Sequence, residues 1–95
     1  MNRYRTLPGV VLTTVGGQFI LVAAKEARLK CPYTMQINET AAFCWRILEH
    51  GATLQSLADA MCAEYEIDDR DALTSDLAEL LDQLEKANYL IKDSK

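Results

Sequence analysis

The sequence predicts an α+β fold of winged helix-turn-helix type, a three-stranded antiparallel sheet followed by a three-helix bundle in the order β-β-β-α-α-α. Three observations predict it. Two β-branched, apolar runs flank Gly16-Gly17 near the start of the chain. Beyond Asn38 the apolar residues change to the spacings of three and four that mark helices. The connections between those helical segments are short, which holds successive helices side by side.

The first run is Val10-Val11-Leu12-Thr13-Thr14-Val15 and the second is Gln18 to Ala24. Glycine tolerates the positive φ of the primed turns that join hairpin strands, so Gly16-Gly17 predicts a tight hairpin. A connector over residues 25–32 follows. Tyr33-Thr34-Met35-Gln36-Ile37 then reads as a short third strand, with Tyr33, Met35 and Ile37 on one face.

Asn38 is a good N-cap, because its side-chain oxygen can accept from free backbone N–H groups. The helix predicted over Glu39–Glu49 is apolar around most of its circumference, with only Glu39, Arg46 and Glu49 marking a polar stripe. Such a helix belongs at the centre, packed on several sides. Gly51 suits the left-handed position that ends it. Thr53 caps a second helix whose Leu54, Leu57, Ala58, Met61, Cys62 and Tyr65 share one face. Asp68 and Asp71 stand at capping-box spacing for a third helix over 71–88, with Leu73, Leu77, Leu80, Leu81 and Leu84 as its apolar stripe. Asn88 suits its left-handed end. Tyr89-Leu90-Ile91 folds back as an apolar tail, and Lys92 to Lys95 are expected to fray.

With 95 residues the chain reads as a single domain over 1–95. About 65% of the extended chain's surface should be buried at this size, enough for one modest core without staples. Half of the residues are apolar and a quarter charged, as in soluble globular domains. No apolar run reaches the ~18 residues of a membrane span, and no signal peptide is read at the start; a cytoplasmic protein with no membrane partner is expected. Cys31, Cys44 and Cys62 cannot all pair within one chain, and they match no metal spacing, so free thiols are expected. Residues 1–30 carry five basic groups and one acid (+4), whereas 31–95 carry five basic and thirteen acidic (−8). The helical half should therefore repel nucleic acid.

Catalytic constellations are absent. Val15-Gly16-Gly17-Gln18 lacks the Lys and following helix of a phosphate-binding loop. The single histidine, His50, sits before a turn glycine and provides neither a Ser-His-Asp set nor a metal cluster. A Cys44–His50 nucleophile pair fails because six residues of helix separate the two by more than a turn and a half. The acids of Asp68-Asp69-Arg70-Asp71 are placed to favour a helix N-terminus. A non-enzymatic binding module, with neither metal nor cofactor, is the expectation.

Ile37-Asn38-Glu39-Thr40-Ala41-Ala42-Phe43-Cys44-Trp45-Arg46-Ile47-Leu48 resembles the x-N-x-T-A-x-x-x-W-x-x-L signature of PqqD-like proteins. Pro8-Gly9-Val10-Val11-Leu12, Gly51-Ala52-Thr53-Leu54, Tyr65-Glu66-Ile67-Asp68 and the stretch from Leu80-Leu81 to Leu90-Ile91 match the neighbouring pieces in order. The resemblance implies a non-catalytic domain that recognises the leader segment of a ribosomally made precursor peptide. It also implies presentation of that peptide to a modifying enzyme, often a radical S-adenosylmethionine enzyme. The leader would add beside the third strand and lie over the third helix.

Strand addition is physically available to any unpaired edge, whose N–H and C=O groups pair with an extended guest. The expected peptide-binding residues are Tyr33, Thr34, Met35, Gln36 and Ile37 on the strand, with Leu73, Asp76, Leu77 and Leu80 on the helix. Leu73, Leu77 and Leu80 would accept apolar guest residues and Asp76 a basic one; Arg28 and Lys30 would attract acidic ones. On the base rate for apolar helix positions Leu77, Leu81 and Leu84 read as core rather than groove, by roughly three to one, and Leu73 and Leu80 read about evenly as either. A proline at Met35 is expected to abolish peptide binding with less effect on folding, because it removes an edge donor. Two other readings compete. One is a winged-helix DNA-binding regulator, opposed by the six acids against two bases over 69–88. The other is a homodimer built on the same exposed strand.

Overall fold

A turn in which both central residues have positive φ matches the right-handed twist of the strands it joins. Gly16 (φ 58°) and Gly17 (φ 80°) form such a turn, and the hairpin closes where the sequence indicates. The computed structural model describes residues 2–24, 29 and 34–94. In chain order the elements are β1 (Asn2–Thr6), β2 (Val10–Val15), β3 (Gln18–Ala23), β4 (Met35–Ile37), α1 (Glu39–Leu48), β5 (Ala52–Thr53), α2 (Leu54–Glu64), α3 (Arg70–Lys86) and β6 (Leu90–Ser94). They form an α+β fold with three helices and two antiparallel sheets, ordered β2-β3-β4 and β5-β1-β6.

The first sheet is the predicted one. Its third strand is shorter than expected, Met35–Ile37; Thr34 precedes it and Tyr33 lies outside the described residues. The second sheet has no counterpart in the sequence reading. β6 runs antiparallel to β1 from Leu90 opposite Thr6 to Ser94 opposite Asn2, so the tail expected to fray is paired through Lys92, Asp93 and Ser94. Its pattern is hard to see in sequence because Tyr4 is the one large apolar side chain on the half-buried face of β1, between exposed Arg3 and Arg5. The pairing joins the two ends of the chain, and local periodicity carries no information about such a partner.

Caps explain the helix boundaries. Asn38 Oδ1 accepts from the Ala41 N–H at 2.8 Å and from the Thr40 hydroxyl at 2.9 Å. Thr53 and Ser56 form a reciprocal capping box at the start of α2. α3 starts one residue later than Asp68 would have set. Asp69 is its N-cap, accepting from the Ala72 N–H at 3.1 Å. Either aspartate has the chemistry to cap, and the observed choice lets Arg70 in the first turn reach Asp59 on α2. At the other end Asn88 (φ 67°) takes the left-handed position. Tyr89 N–H donates to the Leu84 carbonyl and Asn88 N–H to the Glu85 carbonyl, the two bonds of a Schellman motif. That motif turns the chain from α3 into β6.

α1 is central, as its composition requires. Cys44, Trp45 and Leu48 are buried together with Leu21 of β3, Leu57 of α2 and Leu81 and Leu84 of α3. Burying each large side chain contributes roughly 1.5–3 kcal/mol relative to exposure. The Trp45 ring meets Tyr89 edge to face at 6.5 Å between centroids. Placing α1 at the centre lets β4, which leads into it through Asn38, lie beside the outer part of α3. No helix among the described residues is long and apolar enough to cross a membrane.

Candidate functional site: an open strand edge beside a helix

The direction of the main-chain groups on β4 follows from the hairpin. A two-residue turn makes its flanking residues, Val15 and Gln18, a hydrogen-bonded pair, and in an antiparallel ladder such pairs recur at every second residue. The Ala24 N–H donating to the Gly9 carbonyl at 2.8 Å continues that series beyond the strand ends. Gln18, Ile20 and Val22 therefore bond toward β2, while Phe19 and Leu21 bond toward β4. Phe19 faces Ile37 and Leu21 faces Met35. The N–H and C=O of Met35 and Ile37 are thus turned into the sheet, and those of Gln36 point out from its edge.

That outer edge pairs with no strand among the described residues, since the tail goes to β1 in the other sheet. The parity corrects one expectation. A proline at Met35 would break a bond to β3, and the position that presents an edge donor is Gln36.

Side chains alternate with the backbone. Met35 and Ile37 are half-buried against the core and Gln36 is exposed. Beside the strand a groove of about 190 Å³ is floored by Met35, Ile37 and Ala41 and walled by Leu80, Gln83 and Leu84 of α3. It shares Asn38, Ala41, Leu80 and Gln83 with a larger hollow of about 510 Å³ between the start of α1 and the middle of α3. Cys44, Met61, Leu73 and Leu77 add apolar surface there, and Thr40, Asp76 and Glu79 add polar atoms.

Of the sequence-predicted site residues, Met35, Gln36 and Ile37 line the smaller groove, Leu73, Asp76 and Leu77 the larger hollow, and Leu80 both. Leu77 is only 4% exposed, so it is core that also reaches the hollow. Thr34 is exposed just before the strand and lines neither. Tyr33, Arg28 and Lys30 lie outside the described residues. Sequence reasoning missed Asn38, Ala41, Glu79 and Gln83. Asn38 was readable only as a cap, and Gln83 stands three residues after Leu80, a spacing that places polar residues on the same face.

Burial pushes the Cys44 thiol up to about 11, so it stays protonated and unreactive near neutral pH. Among the described residues no group of three or more His, Cys, Asp or Glu is placed to hold a metal ion. A separate hollow of about 430 Å³ is lined by Tyr4, Leu54 and Arg70 among others. Its Arg70 already pairs with Asp59.

Fold and groove together define a small winged helix-turn-helix-like α+β domain in which an edge strand lies along a helix. The sequence profile of the family described as Coenzyme PQQ synthesis protein D (PqqD) matches residues 32–90, and the chain belongs to that family. Two solved structures share the fold. "TbiB1 in Complex with the TbiA(beta) Leader Peptide" superposes with a TM-score of 0.71 at 23% identity, covering 90% of this chain and 93% of that one. "Lasso peptide synthetase B1 complexed with the leader peptide" does so with a TM-score of 0.71 at 22% identity, covering 93% and 96%. A comparison with curated protein sequences finds no match.

Proposed function

We propose that this protein binds the leader segment of a ribosomally synthesised precursor peptide and presents it to a modifying enzyme, itself performing no catalysis. The observation that carries the reading is the outward-facing N–H and C=O of Gln36 on β4, beside the groove along α3. Family membership supports it, as does the fold shared with two proteins each solved with a leader peptide. The guest would add as a strand against β4, its backbone paired with Gln36 and alternate side chains directed at Leu80, Gln83 and Leu84. Thr34 would extend that edge, and Leu73, Asp76 and Leu77 would meet the part of the guest that runs on past Asn38. A radical S-adenosylmethionine enzyme is the partner that the PqqD resemblance suggests.

The DNA-binding reading is disfavoured by charge. Both basic residues of α3 are engaged by acids, Arg70 by Asp59 and Lys86 by Asp82 at 3.0 Å, which leaves a helix of negative surface. Titrating ¹⁵N-labelled protein with the leader of a precursor encoded beside it tests the proposal. The Gln36 amide should shift strongly and become protected from hydrogen exchange. A leader that binds without moving the Gln36 amide would refute the strand-addition mode, and one that does not bind at all would refute the function.

A further inference from the structure

Among the described residues that line the groove, the charged side chains are of one sign. Of the residues that line its two connected parts, the ionised side chains are Asp76 and Glu79, and no arginine or lysine is among them. Elsewhere on the described surface three acids pair with a cation, Asp59 with Arg70, Asp82 with Lys86 and Asp93 with Arg5, while others, Glu49 and Glu64 among them, are in no described ion pair. Asp76 and Glu79 make no ion pair with any described residue, although both are exposed. They stand three residues apart on α3, one turn of the same helix face, with apolar Leu73, Leu77 and Leu80 around them. The hollow is therefore an apolar floor with an acidic rim on its α3 side. The N-terminus of α1 at the opposite rim does not offset those acids: Asn38 already accepts from its Ala41 N–H, and Glu39 stands in its first turn.

We propose that Asp76 and Glu79 select guests by charge: the peptide taken up here places a lysine or arginine beside a large apolar side chain, past the residues paired with Gln36. This rests on the strand-addition reading above and specifies the chemistry of its guest. The apolar side chain fills the floor between Leu73, Leu77 and Met61. The cation reaches the two carboxylates, which pair with no cation among the described residues. A guest with an acid at that place meets two like charges at the rim and is disfavoured. The attraction is partly solvent-exposed, so it also weakens with salt.

The test is a selection of binders from a random 12-residue peptide library displayed on their encoding RNA, run on the wild-type protein and on the doubly reversed variant Asp76→Lys/Glu79→Lys. Both positions are exposed and outside every described ion pair, so the variant should fold normally. Wild type should enrich peptides carrying Lys or Arg at one fixed offset from an apolar residue, and the variant should enrich Asp or Glu at that offset. Resynthesised wild-type binders should lose about tenfold in affinity for the variant, the scale of two exposed charge contacts turned repulsive. Each binder is also measured on Gln36→Pro. Binders weakened by Gln36→Pro but showing no charge preference, or the same preference on both proteins, would overturn the charge selection while leaving strand addition intact. Binders indifferent to Gln36→Pro would overturn strand addition itself, and the charge selection with it.

Discussion

Replacing Gln36 by proline separates capture of a guest from stability of the sheet. The Gln36 N–H faces away from β3, so its loss leaves the Phe19–Ile37 and Leu21–Met35 pairs in place. Its side chain is exposed, and Met35 before it already has the strand conformation that a residue preceding proline prefers. The expected change in folding stability is within about 1 kcal/mol, since no buried group is uncovered. Binding should suffer more. One lost main-chain hydrogen bond costs a net ~0.5–1.5 kcal/mol, and the proline ring occupies space at the edge where the guest backbone would lie. Together these predict at least about a tenfold loss of affinity, or ~1.4 kcal/mol. Gln36→Ala keeps the backbone donor and should bind almost as wild type. Met35→Pro breaks a bond to β3 and removes a half-buried side chain, so it should destabilise the fold by about 2 kcal/mol or more. Fluorescence anisotropy with a labelled leader peptide and urea unfolding of all three variants would provide the comparison. Wild-type affinity in a folded Gln36→Pro variant would refute the assignment of the outward-facing groups.

Trp45→Ala should cost about 3–5 kcal/mol, because the ring is fully buried and meets Tyr89 edge to face; denaturant unfolding would read it. Gly51→Ala should lower stability by about 1–2 kcal/mol, since φ is +83° and the added Cβ would stand 2.7 Å from Nη2 of Arg3. In an Arg3→Ala background the clash is removed and the backbone strain stays, so thermal unfolding should show only part of the loss restored. Native alkylation at pH 8 should modify Cys62 well before Cys44, whose thiol is held neutral by burial up to about 11; mass spectrometry of the digested protein would count the labels. The same raised value means that Cys44 lowers stability as the pH climbs from about 9 toward 11, where the unfolded thiol ionises and the folded one does not. Cys44→Ala should flatten that part of the pH profile.

Much of the fold is local and was legible as such. The Gly16-Gly17 turn, the Asn38 and Thr53 caps, the left-handed Asn88 and the leucine stripe of α3 each depend on residues within a few positions of one another. The groove was legible in outline because a helix stripe shows which leucines face inward. The stripe favoured Leu77 as core, as its burial shows, but it did not show that Leu80 serves both core and groove, since that depends on what packs opposite. Asp68 and Asp69 are chemically alike, and only the reach of Arg70 to Asp59 distinguishes them as caps.

The amino-acid order alone determined the helices, the hairpin and the family, because periodicity, capping and turn chemistry act over one or two turns of chain. Tertiary structure decided the rest. It joined the two termini through β1 and β6, a pairing whose partners lie at opposite ends of the sequence. By taking the tail into that second sheet, it left β4 with an unpaired outer edge. The register of β3 against both neighbours then fixed Gln36 as the residue whose backbone faces outward, because hydrogen-bond direction alternates along a ladder and its phase is set only when the strands meet.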